Sequence, residues 1–354
     1  MKINIFTDNR KQLFVFPIIM LEGYAVLAIE LLAIRQVLPF VGSGIEVVSI
    51  IVSAILLPLA VGYHFGGTRV KTLSIRKILL RNLTIAIIIL IFGLSYIPLE
   101  IFFSALPKMG LHNRILQTVI YSAIFLITPT FLLAQTIPLV SNYLPKAKLS
   151  EITGRMLFFS TSGSFLGSIF STLVLMTILG VHNTVNITIT LIGLIVLILS
   201  RRLINFDNFI AVIFIGILWT INGNAAMGKI GIIADTPYSL MSIEKNNSEK
   251  STILNVNRSL SSKYAANPQN RFEYIKYVEN NFIPEKGKPI DILVLGAGGF
   301  TFGWDDQKNN YTFVDIEEQL KPIAEKYLLP GAIAKNKKAI TTSARAFLRS
   351  TQEK

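Results

Sequence analysis

Cysteine is absent from the 354-residue chain, which excludes disulfide staples and thiolate metal sites. Histidine is almost as rare: His64, His112 and His182 lie far apart in sequence, a spacing that suits helix ends and loops and gives no metal centre. Charge is scarce too. Asp, Glu, Lys and Arg make up 16% of the chain, against about 25% in an ordinary soluble domain. The deficit is uneven, because residues 1–227 hold 16 of the 34 Lys+Arg but only 7 of the 21 Asp+Glu. A single soluble fold does not leave two thirds of its length so bare, so two regions are expected.

What fills the first region is long apolar runs. A bilayer core needs about 20 apolar residues per helix, and the chain supplies about seven such stretches, near 13–38, 47–65, 82–104, 115–140, 157–179, 184–200 and 208–226. The first is too long for a removable signal peptide and, flanked by Lys2, Arg10 and Lys11, reads as a signal anchor. The net charge of +13 therefore does not point to nucleic acid. Most of the excess sits between apolar runs, as the positive-inside rule describes, and the natural partner is the lipid bilayer.

Alternate loops differ in charge. Lys2, Arg10 and Lys11, then Arg69, Lys71, Arg76, Lys77 and Arg81, then Lys146, Lys148 and Arg155, and finally Arg201 and Arg202 fall on one side; Lys108, Arg114 and Arg35 fall on the other. This asymmetry puts the N-terminus in the cytoplasm of a multi-pass protein of the cell's inner or plasma membrane. An odd number of spans would then place the tail on the opposite side, and the sequence leaves that side open.

Within the bundle, Gly62 with Gly66 and Gly163 with Gly167 are spaced for close helix contact, and Ser160, Ser164 and Ser168 extend the second row. Glu22 and Glu30 are less ordinary. An ionised side chain at mid-membrane costs about 2.5–3.5 kcal/mol on insertion scales, so Glu30 is expected to be neutral, paired or facing a polar cavity. Pro129 and Pro138 predict a kinked fourth span with freed carbonyls near Gln135 and Thr136. Structural glue and cavity lining both fit these residues.

From Thr236 the character changes. Tyr238-Ser-Leu-Met-Ser-Ile243 and Ser251-Thr-Ile-Leu-Asn-Val256 are β-prone runs either side of a polar turn at 245–250, a hairpin. Residues 269–282 read as a short helix. Residues 289–295 read as a short buried strand entering Gly296-Ala-Gly298-Gly299, whose glycines permit a tight turn and close approach to a ligand. A second strand ends at Asp315, 19 residues after Gly296, the offset at which an acid caps ribose hydroxyls in a Rossmann-like sheet. A helix over 317–328 and a third parallel strand near 338–342 follow. The domains are thus 1–227, a transmembrane helical domain; 228–283, a β-hairpin and helix; and 284–354, a partial Rossmann-like α/β domain of the class I methyltransferase type.

This order resembles the spermidine synthases (polyamine aminopropyltransferases) and, over the whole chain, their membrane-bound relatives. Glu22-Gly-Tyr-Ala-Val-Leu-Ala-Ile-Glu30 with Arg35 resembles the family's first helix, with Ile29 in place of its Tyr. Gly62-Tyr-His-Phe-Gly66-Gly67-Thr-Arg69 is similar to the end of its second, and Leu293-Val-Leu-Gly296-Ala-Gly298-Gly299 with Val314-Asp315-Ile316 to its cofactor loop and ribose-binding acid. The resemblance implies transfer of an aminopropyl group from decarboxylated S-adenosylmethionine to putrescine, without a metal or a tightly bound cofactor, with Gly296, Gly298, Gly299 and Asp315 holding the adenosyl part.

The departures imply an inactive protein. Phe300 stands where the family carries an acid, Ser343 where its Gly-Asp-Ala motif has aspartate, and Tyr274-Ile275-Lys276 where soluble members carry Tyr-His-Glu. The likeness stops before the strand bearing the family's catalytic aspartate, so no catalytic residue is assigned and the family's C-terminal half is expected to be missing. A polyamine or thioadenosine ligand and self-association are the expected partners. A non-catalytic membrane protein that transports or senses a small cation is the alternative, and another S-adenosylmethionine-type transferase built on the same half-sheet is the third reading.

Overall fold

The computed structural model describes residues 8–68, 75–142, 149–200, 206–283 and 287–351. The loops around Lys71, Lys148, Arg201 and Arg202, on which the charge asymmetry partly rests, lie outside the described residues. The chain divides into two compact units, Met1–Ile230 and Gly231–Lys354.

The first unit is helical throughout its described residues: α1 (Asp8–Val41), α2 (Ile45–Thr68), α3 (Ile75–Leu94), α4 (Tyr96–Lys108), α5 (Arg114–Phe125), α6 (Ile127–Ala134), α7 (Thr136–Ser141), α8 (Leu149–Ile169), α9 (Met176–Leu199), α10 (Phe206–Ile221) and α11 (Asn224–Lys229). Among the described residues, five stretches are long and apolar enough to cross a membrane: Val15–Val41, Ile45–Thr68, Ile75–Leu94, Arg114–Ser141 and Ser150–Leu199; Asn208–Ile221 is apolar but shorter. The third begins earlier than its apolar run suggests, because Arg76, Lys77 and Arg81 lie in its first turns rather than in a loop. It also ends earlier, at Ser95, whose extended backbone separates α3 from α4.

The prolines act where the sequence places them. The stretch Arg114–Ser141 is three helices, broken at Leu126 and Gln135, each break three residues before Pro129 or Pro138, whose missing N–H cannot continue the ladder. The last stretch is 50 residues long, about 75 Å at 1.5 Å per residue, well beyond one bilayer. It is interrupted at Gly180, whose φ of 82° and ψ of 168° suit a residue without a Cβ.

Small residues let these helices touch. A Cβ on Gly163 would lie 2.0 Å from the Met20 carbonyl oxygen, one on Gly167 2.3 Å from that of Tyr24, and one on Gly23 2.3 Å from that of Ser160. The α1–α8 seam is therefore backbone on backbone. On the other glycine pair, a Cβ on Gly62 would meet Ala134 and Phe131 at 2.6 Å, and one on Gly66 would meet Pro138 at 2.5 Å.

The second unit holds two sheets. Strands β1 (Ile232–Asp235), β2 (Leu240–Asn246), β3 (Ser251–Val256) and β4 (Ser259–Ala265) form an antiparallel meander in sequence order. The expected hairpin is its middle; β1 is too short and β4 (Ser-Leu-Ser-Ser-Lys-Tyr-Ala) too polar to stand out as strands. After α12 (Glu273–Phe282), strands β5 (Asp291–Leu295), β6 (Asn310–Asp315) and β7 (Lys337–Thr341) form a parallel three-stranded sheet in the order β5-β6-β7. Between β6 and β7 lies α13 (Leu320–Ile323), continued by a wider π turn over Ala324–Leu328, and α14 (Ala344–Ser350) follows β7. One core serves both sheets: Met241 and Leu254 of the meander pack with Phe300, Phe313, Leu320 and Leu328.

One strand differs from its reading. β5 is not buried: it is an edge strand, with Leu293 43% and Leu295 45% exposed. An apolar run alone does not distinguish a central strand from an edge strand with one open face.

Candidate nucleoside cleft

The second unit contains a cleft of about 670 Å³ between the meander and the C-terminal ends of β5 and β6, the usual position for ligands on an open parallel sheet. Its floor is the loop after β5. Gly296 and Gly298 take φ of 83° and 52°, left-handed values that need glycine, and both line the cleft with Ala297. The neighbouring Phe300 also has a positive φ, 58°. It is 2% exposed and set against Phe313, so this position is part of the core.

Asp315, at the end of β6, lines the cleft and fixes the loop. Its Oδ2 accepts the Ala297 N–H at 2.9 Å and its Oδ1 the Glu317 N–H at 3.0 Å. A carboxylate offers about four acceptor positions, so each oxygen retains one for a ligand hydroxyl. Gly296, Gly298 and Asp315 are thus brought together. Gly299 is not among the lining residues: its N–H donates to Ser262 Oγ at 2.7 Å, and a Cβ there would come within 2.1 Å of Leu328. Its role is to seat the loop on the meander.

The meander supplies walls that sequence reading overlooked. Tyr238, Ser239, Ser261 and Ser262 line the cleft, with Tyr274 from α12 among them. The Tyr274 hydroxyl donates to the Ser261 carbonyl at 3.3 Å, and partial burial pushes its pKa up, keeping it a donor. Glu317 closes one end and accepts from Thr236 Oγ1 at 2.5 Å and Ser239 Oγ at 2.8 Å. Ser and Thr at the edges of a hairpin are common surface residues, so only the tertiary fold reveals these contacts. Ser343 caps α14 by accepting the Ala346 N–H.

A second hollow, of about 420 Å³, lies near Arg271, Glu279, Asp305 and Asp306. Its carboxylates are already occupied: Arg271 pairs with Asp305, Gly303 N–H donates to Glu279 at 2.7 Å, and the Tyr311 hydroxyl donates to Asp306 at 2.6 Å. Desolvation opposes ionisation of Asp306, but hydrogen bonds from Tyr311, Asn309 and Lys308 outweigh it and lower its pKa to about 2. This cluster ties the 301–309 loop to the sheet. No group of three His, Cys, Asp or Glu suited to a metal occurs among the described residues.

The fold and cleft define a class: an apolar helical unit able to cross a membrane, followed by a small two-sheet unit with a cleft on glycine turns and one carboxylate. No family model, no curated protein and no solved structure matches the chain.

Proposed function

We propose that the second unit binds the adenosyl part of a thioadenosine-type compound, on the plan of the spermidine synthase-like family, and that a multi-pass bundle carries it at the membrane. The observation that supports this best is Asp315, which bridges the Ala297 and Glu317 N–H groups while facing the cleft beside Gly296 and Gly298. An acid there can accept the two ribose hydroxyls, and the glycines leave room for the sugar and sulfur. Leu293 and Leu295 offer apolar surface to the base.

Turnover is not expected. Putrescine is mostly protonated at neutral pH, so aminopropyl transfer needs a carboxylate to take a proton and aim the amine. The carboxylates lining the cleft among the described residues are Asp315 and Glu317. The first holds the loop and the second is bonded to Thr236 and Ser239. Binding without transfer is the reading this favours.

Calorimetry on the purified chain in detergent with 5′-methylthioadenosine tests it. Asp315→Ala should weaken binding at least tenfold, about 1.4 kcal/mol; equal affinity in the variant overturns the assignment. Incubation with decarboxylated S-adenosylmethionine and putrescine should give no spermidine above a boiled control.

For the bundle we propose seven spans, the break at Gly180 dividing the 50-residue stretch and Asn208–Ile221 completing the set, with the N-terminus cytoplasmic. Single cysteines at Lys71 and Lys148 are clean reporters in a chain without cysteine. Labelling of either in intact cells by an impermeant thiol reagent contradicts this orientation.

A further inference from the structure

The helical unit has two buried polar groups of side chains, and they differ in one respect. Around α4, α9, α10 and α11 the polar atoms meet one another. Asn222 accepts the Tyr96 N–H and donates to the His182 carbonyl and to Asn186 Oδ1, each at 3.0 Å, and His182 Nε2 lies 2.7 Å from Asn224 Oδ1. This group is a clamp between helices.

The other group is left unfilled. Glu22 is 0% exposed, and neither carboxyl oxygen has a hydrogen bond. Helix register brings further acceptors to its level. Gln36 of α1 donates to the Leu94 carbonyl of α3, and these helices run in the same direction, so by helix rise Glu22 stands at about the depth of Leu80, within about one turn of Asn82. Asn82 Nδ2 donates to Gln135 Oε1 at 3.1 Å, and Gln135 also borders Gly66 of α2. In this layer Asn82 Oδ1 and Thr136 Oγ1 are buried without a partner as well. Polar atoms without partners therefore gather at one depth of an apolar bundle.

An unfilled carboxyl here has no structural use. A buried polar atom without a partner costs about 1–3 kcal/mol, and an ionised one inside a membrane costs more. The titratable neighbours do not neutralise it. On α8, Arg155 pairs with Glu151. The described cations of α3, Arg76, Lys77 and Arg81, make no ion pair with Glu22, nor does His64 of α2, Arg114 of α5 or His182 of α9; Glu46 of α2 and Glu100 of α4 are acids and cannot neutralise it. Tyr63 of α2, 40% exposed, is within electrostatic reach of Glu22.

We propose that Glu22 is an intramembrane proton-binding site: its buried carboxyl carries a proton at the depth of the Asn82–Gln135–Thr136 layer and exchanges it on the α2 side, near Tyr63. A proton fits better than a larger cation because the carboxyl is fully enclosed. The site is independent of the nucleoside cleft.

An apolar carbodiimide, dicyclohexylcarbodiimide, reacts with un-ionised carboxyls in apolar surroundings, and peptide mass spectrometry locates the adduct on the wild-type chain. The expected result is an adduct on Glu22 whose rate falls about tenfold per pH unit once the acid ionises, unchanged when sodium chloride replaces choline chloride. Suppression by sodium overturns the proposal in favour of a metal cation. In parallel, the infrared spectrum at neutral pH should lose an un-ionised acid carbonyl band in Glu22→Gln, and Tyr63→Phe should slow proton–deuteron exchange of that band. No adduct on Glu22 between pH 5 and pH 9, or an ionised carboxylate spectrum at neutral pH, overturns it without requiring any variant to fold.

Discussion

The two units solve the problem of buried polar groups in opposite ways. In the helical unit the backbone satisfies itself within each helix, as a membrane demands, so helices approach through glycine and each buried polar side chain stands out against an apolar background. In the sheet unit the backbone bends out of regular structure at Gly296, Gly298 and Phe300, and side chains such as Asp315, Ser262 and Asp306 repair the exposed N–H groups. A polar side chain in the first unit is therefore exceptional, and one in the second is most often part of the scaffold. The same residue type needs a different explanation on either side of Ile230.

The largest test of this contrast is Gly163→Leu. Its Cβ alone would sit 2.0 Å from a backbone carbonyl, which no rotamer can relieve, so α1 and α8 must part. Overpacking a good core costs about 1–3 kcal/mol, and forcing backbones apart exceeds that. Loss of the monodisperse peak in size-exclusion chromatography is expected. Gly154→Leu, on the same helix but with nothing within 4 Å, should be tolerated, and Leu favours helix over Gly by up to about 1 kcal/mol.

Next is Asn222→Ala. It strips partners from the Tyr96 N–H, the His182 carbonyl and Asn186, and about 3 kcal/mol is expected from the orphaned groups. Glu22→Met removes a side chain with no hydrogen bond, so thermal stability in detergent should hold within about 0.5 kcal/mol or rise. Equal losses in the two variants would erase the distinction between clamp and proton site.

A smaller effect belongs to the sheet unit. Asp306 has its folded pKa lowered to about 2, so the carboxylate stabilises the fold above its unfolded pKa near 4, and that contribution is lost as pH falls from about 4 toward 2. Solvent screening leaves about 1 kcal/mol. Asp306→Asn should lose this amount at neutral pH and flatten the acid limb of the stability curve.

How much of this was legible in the sequence follows from the same contrast. Apolar runs, proline kinks and glycine pairs are local signals: the breaks before Pro129 and Pro138 and the glycine seams match them, whereas the run 82–104 is divided between α3 and α4. The parallel strands were legible because strand, glycines, strand and acid follow at a telling spacing, while their order in the sheet was not. What escaped was non-local. Ser239 and Ser262 reach the cleft only through the meander, Gly299 faces Ser262 rather than the cleft, and the missing partners of Glu22 depend on helix register, which composition does not encode. The edge position of β5 was hidden because its residues read as buried.

That edge gives the last and smallest expected effect on stability. Leu293 is 43% exposed and lines the cleft, so Leu293→Thr removes little packing and places a β-branched residue on a strand, where it fits. A change within about 0.5 kcal/mol is expected, as for most surface substitutions. Binding should respond differently. If the purine of a thioadenosine compound rests on this face, losing the leucine methyls weakens affinity several-fold, since burying each methylene-sized group contributes about 0.8 kcal/mol. Melting curves and calorimetry on one preparation separate the two. Unchanged stability with weaker binding ties the open face of β5 to the ligand, whereas a fall in stability with unchanged affinity makes it core and returns the cleft to Asp315 and the glycines alone.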